Sequence, residues 1–235
     1  DAAVDAGTWY AAAAAADVAG GPGGDGVADL VVAQRGAWDV PGSDPVGPGR
    51  LLTFRGDGAG GFTLASELSI DGDPTSLLLA DLTGDGRPDA LVTDGVSSTI
   101  TIYAGLGDGR FERTRTIPTG RTPVDAAYTD ATGDGVADLL VCNYDHYYVG
   151  LHAGLPGGGF APAVRINVGT RPVGVVVADI DGDADADVVT TNELSGDLSV
   201  AINDGGAFEP AISVGTLDEP FAITAGDLNG DGLPE

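Results

Sequence analysis

The sequence contains no lysine and no methionine, and its only cysteine is Cys142. A single cysteine excludes an internal disulfide framework and a zinc site made of several cysteines. All ten basic residues are arginine, against 36 acidic residues, which gives a formal net charge of -26. Because such a surface repels phosphate, we expect no nucleic acid partner and no anionic membrane partner. No apolar run approaches the ~20 residues of a membrane-spanning helix, so we expect no membrane insertion.

An acidic motif recurs five times along the chain. It reads ADLTGDGRPDALV at residues 80–92, TDATGDGVADLLV at 129–141 and ADIDGDADADVV at 178–189, with shorter copies at 23–32 and 226–235. The central aspartates are Asp25, Asp85, Asp134, Asp183 and Asp231, separated by 60, 49, 49 and 48 residues. A glycine-rich turn before Phe62, Phe111, Phe160 and Phe208 repeats with spacings of 49, 49 and 48. The chain is therefore an array of repeats of about 49 residues.

Each repeat contains four short runs typical of β-strands. In the fourth copy they cover residues 172–179, 187–191, 197–203 and 208–214, rich in β-branched residues and bounded by glycine, aspartate and proline. Four strands per repeat of 40 to 50 residues indicate an all-β β-propeller built from four-stranded antiparallel blades. The predicted blades are residues 7–71, 72–119, 120–168 and 169–214, with a partial blade at 215–235. The alanines of residues 11–16 align with the first strand of the fourth copy, so we predict a strand there.

The acidic motif has the spacing of a calcium loop. In the second copy, Asp81, Thr83 and Asp85 stand at positions 1, 3 and 5, Gly86 at position 6 and Asp89 at position 9. Side-chain oxygens at alternate positions converge on a hard cation as the chain curls, and a backbone carbonyl at position 7 adds a ligand. The alternative is that these aspartates only cap turns. Repetition at 49 residues favours the metal, since grouped carboxylates without a counter-ion are unfavourable.

With apolar strands on both sides and a Gly-x-Phe turn about 25 residues later, this motif resembles the FG-GAP/VCBS repeat of integrin-like β-propellers. The resemblance covers nearly the whole chain and implies calcium loops on the first hairpin of each blade, holding about four to five Ca²⁺ ions. The predicted metal-site residues are Asp25, Asp29, Asp81, Thr83, Asp85, Arg87, Asp89, Asp130, Thr132, Asp134, Val136, Asp138, Asp179, Asp181, Asp183, Asp185, Asp187, Asp227, Asn229, Asp231, Leu233 and Glu235.

The copies differ in how closely they match the spacing of a calcium loop. In the first, only Asp25 and Asp29 fit the spacing, because four inserted residues displace Asp17. The fourth copy gains a carboxylate at position 3 but has Ala184 where the others have glycine, and a left-handed alanine costs roughly 1 to 2 kcal/mol.

Aromatic residues gather in the loops expected on the face opposite the calcium loops. A protein or carbohydrate ligand would suit this face, because aromatic rings on loops above a rigid scaffold are typical of binding sites. The alternative is that the rings pack between blades. The candidate ligand-binding residues are Trp9, Tyr10, Trp38, Tyr144, His146, Tyr147 and Tyr148.

We expect no enzymatic activity, because the chain lacks the local signatures of a catalytic triad or a phosphate-binding loop. The sequence therefore predicts a secreted or cell-surface calcium-binding propeller that acts as a binding or adhesion module. Its end inside a metal loop predicts a segment of a larger propeller. Two alternatives remain: a subunit of a calcium-dependent surface filament or lattice, completed by strand exchange and self-association, and a lectin or the propeller of a polysaccharide-degrading enzyme.

Overall fold

The computed structural model describes residues 10–20, 24–36, 47–215 and 218–226, and every regular element in these ranges is a β-strand. The strands form four antiparallel sheets of four strands and one two-stranded hairpin. This confirms the prediction of an all-β fold built from four-stranded blades. No helix in these ranges is long and apolar enough to cross a membrane.

The first two sheets, called blades one and two, each follow chain order. Blade one contains β1 (Tyr10–Ala16), β2 (Asp29–Gln34), β3 (Gly49–Gly56) and β4 (Phe62–Ile70). Blade two contains β5 (Pro74–Ala80), β6 (Asp89–Asp94), β7 (Thr99–Gly105) and β8 (Phe111–Pro118).

Blade three repeats this order, and blade four carries the extra hairpin. Blade three contains β9 (Pro123–Thr129), β10 (Asp138–Asn143), β11 (Tyr148–His152) and β12 (Val164–Asn167). Blade four contains β13 (Pro172–Ala178), β14 (Asp187–Asn192), β15 (Asp197–Ala201) and β18 (Ile212–Val214), with the hairpin of β16 (Asn203–Asp204) and β17 (Ala207–Phe208).

The alanine run forms a strand, as predicted. β1 pairs with β2 in antiparallel register, from Ala16 opposite Asp29 to Ala12 opposite Ala33. Ala12, Ala14 and Ala16 pack against the apolar core, whereas the alanines between them are exposed. This two-residue alternation is the geometry of a strand. Pairing with β2 and packing against the apolar core therefore override the helical preference of alanine.

The second strand is buried along its whole length in blades two, three and four. All six residues of β6, β10 and β14 are buried, because each of these strands lies between two others and is covered on both faces. Cys142 lies in β10 and is buried. Burial raises the pKa of the Cys142 thiol, with a further contribution from the negative charge of Asp125.

Blade four departs from the predicted strand pattern in its outer half. The expected strand at 208–214 is interrupted between β17 and β18, where Pro210 stands. Proline cannot donate a ladder hydrogen bond, so it breaks the pairing at that point. Pro162 stands at the corresponding place in blade three, and β12 there has only four residues.

The chain divides into two compact units, residues 1–118 and 119–235, each containing two blades. In the first unit the core includes Val31, Leu51, Val92 and Phe111. In the second it includes Leu140, Val149 and Val188. Each such side chain contributes about 1.5 to 3 kcal/mol to stability through its burial.

The buried histidine of β11 predicts a loss of stability in mild acid. His152 is 3% exposed, and its Nε2 is buried without a hydrogen-bond partner among the described residues. Burial lowers the pKa of His152 below 6.5. The unfolded chain therefore binds the proton first as the pH falls below about 6.5, and the free energy of unfolding decreases there.

We expect His152→Leu to reduce the fall in melting temperature between pH 7 and pH 5. His146→Gln is the matched control, since His146 is exposed and its substitution should leave that fall unchanged. An unchanged fall in His152→Leu would show that another group controls the acid sensitivity.

Candidate metal centres

Each described acidic loop joins the first strand of its blade to the second. The first loop follows β1, the second follows β5, the third follows β9 and the fourth follows β13. The fifth copy, with Asp227, Asn229, Asp231, Leu233 and Glu235, lies outside the described residues. Trp9 and Trp38 also lie outside them, as does the side chain of Tyr10.

The aspartate at position 9 anchors each loop and is fully buried as the first residue of the second strand. In blade three, Asp138 Oδ2 accepts the backbone N–H groups of Ala131 and Thr132 at 2.9 and 2.8 Å. Its Oδ1 accepts the N–H of Gly154, beyond the third strand, at 2.7 Å. These hydrogen bonds to an ionised acceptor offset the cost of burying the carboxylate.

The anchor repeats in the other blades. Asp89 accepts N–H groups from Leu82, Thr83 and Gly105, each at 2.8 Å. Asp29 accepts from Val18, Ala19 and Gly56, and Asp187 accepts from Ile180 and Asn203. The position-9 carboxylates therefore have a structural role, and their remaining lone pairs are available to a cation.

The aspartate at position 1 curls the loop. In blade three, Asp130 Oδ1 accepts the Asp134 N–H at 3.1 Å, and its Oδ2 accepts the Gly135 N–H at 2.8 Å. Asp81 and Asp179 accept the corresponding amides of their own loops. The chain thus turns around the first carboxylate, which holds the backbone of positions 5 and 6.

In the first loop this role belongs to Asp17, which the metal-site prediction omitted. Asp17 accepts the N–H of Asp25 at 3.2 Å and that of Gly26 at 2.7 Å, as Asp81 does in the second loop. The alignment of residues 7–17 with 169–179 pairs Asp17 with Asp179 and was the signal that could have identified it. Counting back from Asp25 missed it because the loop carries the insertion.

An arginine pairs with the central carboxylate in the first two loops. Arg55, on β3, contacts Asp25 at 2.5 Å, and its guanidinium holds the pKa of Asp25 below the ordinary value. In the second loop Arg87 pairs with Asp85 at 2.7 Å and likewise lowers the pKa of Asp85. Both ion pairs are substantially exposed, so solvent screens them and their contribution to stability is small.

The third loop has an unsatisfied oxygen at a ligand position. Thr132 Oγ1 is buried and has no hydrogen-bond partner among the described residues. Asp134 Oδ1 accepts the Val136 N–H at 2.8 Å, which closes the turn after position 5. A buried hydroxyl oxygen at position 3, in a loop with aspartates at positions 1 and 5, fits the oxygen ligand set of a hard cation.

The fourth loop brings three carboxylates together. Oxygen atoms of Asp179, Asp181 and Asp187 all lie within 4.8 Å of one another. Desolvation, with the negative charges of Asp183 and Asp187, raises the pKa of Asp181. Asp185 Oδ2 accepts the Gly205 N–H at 2.7 Å, so its side chain is used outside the cluster. A bound cation would relieve the repulsion between these carboxylates.

The loop from Tyr144 to Tyr148, at the other end of β10, mixes packed and exposed rings. Tyr144 donates its hydroxyl to Glu193 and lies under the Arg171 guanidinium at 5.1 Å. Tyr148 is buried beneath Arg165 and stacked on His146. His146 and Tyr147 are exposed.

A sequence model of the FG-GAP-like repeat matches the chain four times, over residues 24–92, 81–141, 130–190 and 185–235. Together these matches cover most of the chain. A search of curated proteins found no significant match.

Ala184 predicts a stabilising substitution in the fourth loop. Its φ of 77° is left-handed, like the 85° of Gly135 at the same position in the third loop. We expect Ala184→Gly to raise the free energy of unfolding by about 1 kcal/mol, because glycine has no steric cost there. Chemical denaturation without divalent cations measures this change.

The matched control is Gly135→Ala, which has space for the added methyl group and should lose a similar free energy. Equal stability of Ala184→Gly and the parent chain would contradict backbone strain at this position.

Proposed function

The chain belongs to the FG-GAP-like repeat family, and from this membership we propose that it is a calcium-stabilised, extracellular binding module without catalytic activity. Repeats of this family form propeller-like binding and adhesion modules and often bind calcium. The calcium role, the extracellular setting and the ligand face are parts of this proposal.

The main observation in favour of calcium binding is the carboxylate cluster of the fourth loop. Asp179, Asp181 and Asp187 are drawn from both ends of one loop, yet their oxygens lie within 4.8 Å of each other. Three like charges at this separation oppose the folded loop unless a cation compensates them. A bound Ca²⁺ ion supplies that compensation and accepts six to eight oxygen ligands.

The third loop supports the same role by an independent feature. Thr132 Oγ1 is buried without a partner among the described residues, and an unsatisfied buried hydroxyl costs about 1 to 3 kcal/mol. Asp130, Asp134 and Asp138 are the carboxylates that would complete its coordination. The second loop has the same ligand positions, and Arg87 would have to release Asp85 to free that carboxylate.

The first loop fits a cation least well. Arg55 already neutralises Asp25, and this arginine reaches the loop from another strand. We propose that the first loop is closed by this ion pair and by Asp17 and Asp29, with calcium contributing least there.

The extracellular setting follows from the expected affinity. Extracellular calcium modules bind with dissociation constants of about 0.1 to 1 mM, far above the free calcium of cytoplasm. Loops of this kind would be filled outside the cell and would then hold the first hairpin of each blade closed.

A binding module fits the outer strands better than a filament does. Pro162 and Pro210 interrupt the outer edges of blades three and four, and proline on an edge strand blocks pairing with another chain. We therefore prefer ligand binding to strand exchange.

For the ligand face we propose the exposed part of the Tyr144–Tyr148 loop. Tyr147 is 46% exposed and held at a left-handed φ of 57°, with the exposed His146 beside it. The packed rings of Tyr144 and Tyr148 hold this loop in place through their contacts with neighbouring residues. Rigid, exposed aromatic groups suit a carbohydrate or a protein ligand.

Calcium should raise the melting temperature of the chain. A free calcium concentration 100 times the dissociation constant stabilises the folded chain by about 2.7 kcal/mol for each site that binds. Asp181→Ala should remove a large part of this rise, whereas Glu112→Ala, which removes an exposed carboxylate on β8, should preserve it. Calorimetry with calcium, magnesium or EDTA provides the measurement.

An identical melting temperature in calcium and in EDTA would overturn the calcium role. An equal rise in magnesium would show a general effect of divalent charge.

Tyr147→Ala should abolish binding to a glycan array probed with the calcium-loaded chain. The control is Val96→Ala, which alters an exposed residue in the corresponding loop of blade two. A full array signal in Tyr147→Ala would place the ligand elsewhere, and no signal from the intact parent chain would count against a carbohydrate ligand.

A further inference from the structure

Asn203 replaces a glycine that the other three blades have in common. Gly56, Gly105 and Gly154 stand at this position with spacings of 49, and Asn203 follows Gly154 by 49. A Cβ added at Gly154 would lie 2.3 Å from the Ala137 carbonyl oxygen, so that backbone excludes a side chain. In blade four the asparagine is accommodated, and its Nδ2 donates to the corresponding carbonyl, that of Ala186, at 3.1 Å.

The side chain of Asn203 also reaches the third acidic loop. Its Nδ2 donates to the Ala131 carbonyl oxygen at 2.8 Å, across 72 residues of sequence. Its Oδ1 accepts the Gly206 N–H at 2.9 Å, which holds the amide in this orientation. The residue is 1% exposed, so water does not compete for these hydrogen bonds.

The backbone of Asn203 is tied to the fourth acidic loop. Its N–H donates to Asp187 Oδ1 at 2.8 Å, and Asp187 belongs to the carboxylate cluster of that loop. One buried residue therefore holds the peptide next to Thr132 in the third loop and a candidate ligand in the fourth.

We propose that Asn203 couples calcium binding at the third loop to calcium binding at the fourth. This inference rests on the proposed function, since it concerns the same calcium loops. Asp138 already holds the N–H groups of Ala131 and Thr132, coordination by Thr132 and Asp130 restrains this peptide further, and the Ala131 carbonyl then holds the Asn203 amide more firmly. The ordered Asn203 in turn fixes Asp187 and the Ala186 carbonyl, so the fourth loop loses less conformational entropy when it binds.

The coupling must be reciprocal. If calcium in the third loop raises the calcium affinity of the fourth loop by some factor, calcium in the fourth loop raises the affinity of the third by the same factor. A purely structural asparagine would change stability without linking the two affinities, so the linkage separates the two roles. In blade two the corresponding Gly105 has no side chain and makes no such connection.

The test is a calcium titration of the full chain followed by NMR at two backbone amides, that of Gly135 for the third loop and that of Ala184 for the fourth. In the parent background, Asp134→Ala should weaken calcium binding at the fourth loop by about five-fold or more, the usual range of coupling between sites. Asp181→Ala should weaken the third loop by the same factor.

The coupling should disappear in Asn203→Gly, which restores the residue of the other blades. In that background Asp134→Ala should leave the affinity of the fourth loop unchanged. Asn203→Asp keeps the size but loses the amide donor, and it should also abolish the coupling. If neither variant folds, the two loop variants in the parent background still test the inference, because independent affinities of the third and fourth loops would overturn it.

Two results would overturn the inference while the proposed function stands. One is calcium binding at both loops with affinities that Asp134→Ala and Asp181→Ala leave independent. The other is a coupling that persists unchanged in Asn203→Gly. Absence of calcium binding at both amides in the parent chain would overturn the proposed function itself.

Discussion

A buried carboxylate at the start of the second strand is the interaction on which every blade depends. Asp29, Asp89, Asp138 and Asp187 each join the loop before the second strand to the end of the third strand or to a residue shortly after it. Because an ionised group in the core is tolerated only with full hydrogen bonding, the loop cannot rearrange without exposing the charge or leaving it unpaired. The acidic loops thus have a fixed frame before any cation binds.

The four described loops share this anchor but differ in their charged and polar groups. In the first and second an arginine pairs with the central aspartate, Arg55 from β3 and Arg87 from within the loop. The third leaves Thr132 Oγ1 without a partner among the described residues. The fourth concentrates three carboxylates, tolerates Ala184 in a left-handed conformation and connects to the third through Asn203. One backbone arrangement therefore supports loops with different distributions of charge.

Periodicity predicted the blades, because strand spacing and turn chemistry are local properties of the chain. Even the alanines of β1 were assigned by alignment with another repeat, where composition alone favoured a helix. The broken strand of blade four was missed although Pro210 signals it locally. Asp17 was missed because an insertion conceals its position. The Asn203 contact was out of reach, since it joins Ala131 and Asp187 across different parts of the chain and depends on tertiary packing.

The contacts between blades have a direction along the sequence. In the first unit the Gly109 N–H of blade two donates to the Val18 carbonyl of blade one, and in the second unit Asn203 of blade four donates to Ala131 of blade three. In both pairs the later repeat covers the loop of the earlier one. Within each unit the pair of blades therefore has a polarity: the acidic loop that is covered belongs to the earlier repeat, and the residue that covers it belongs to the later one.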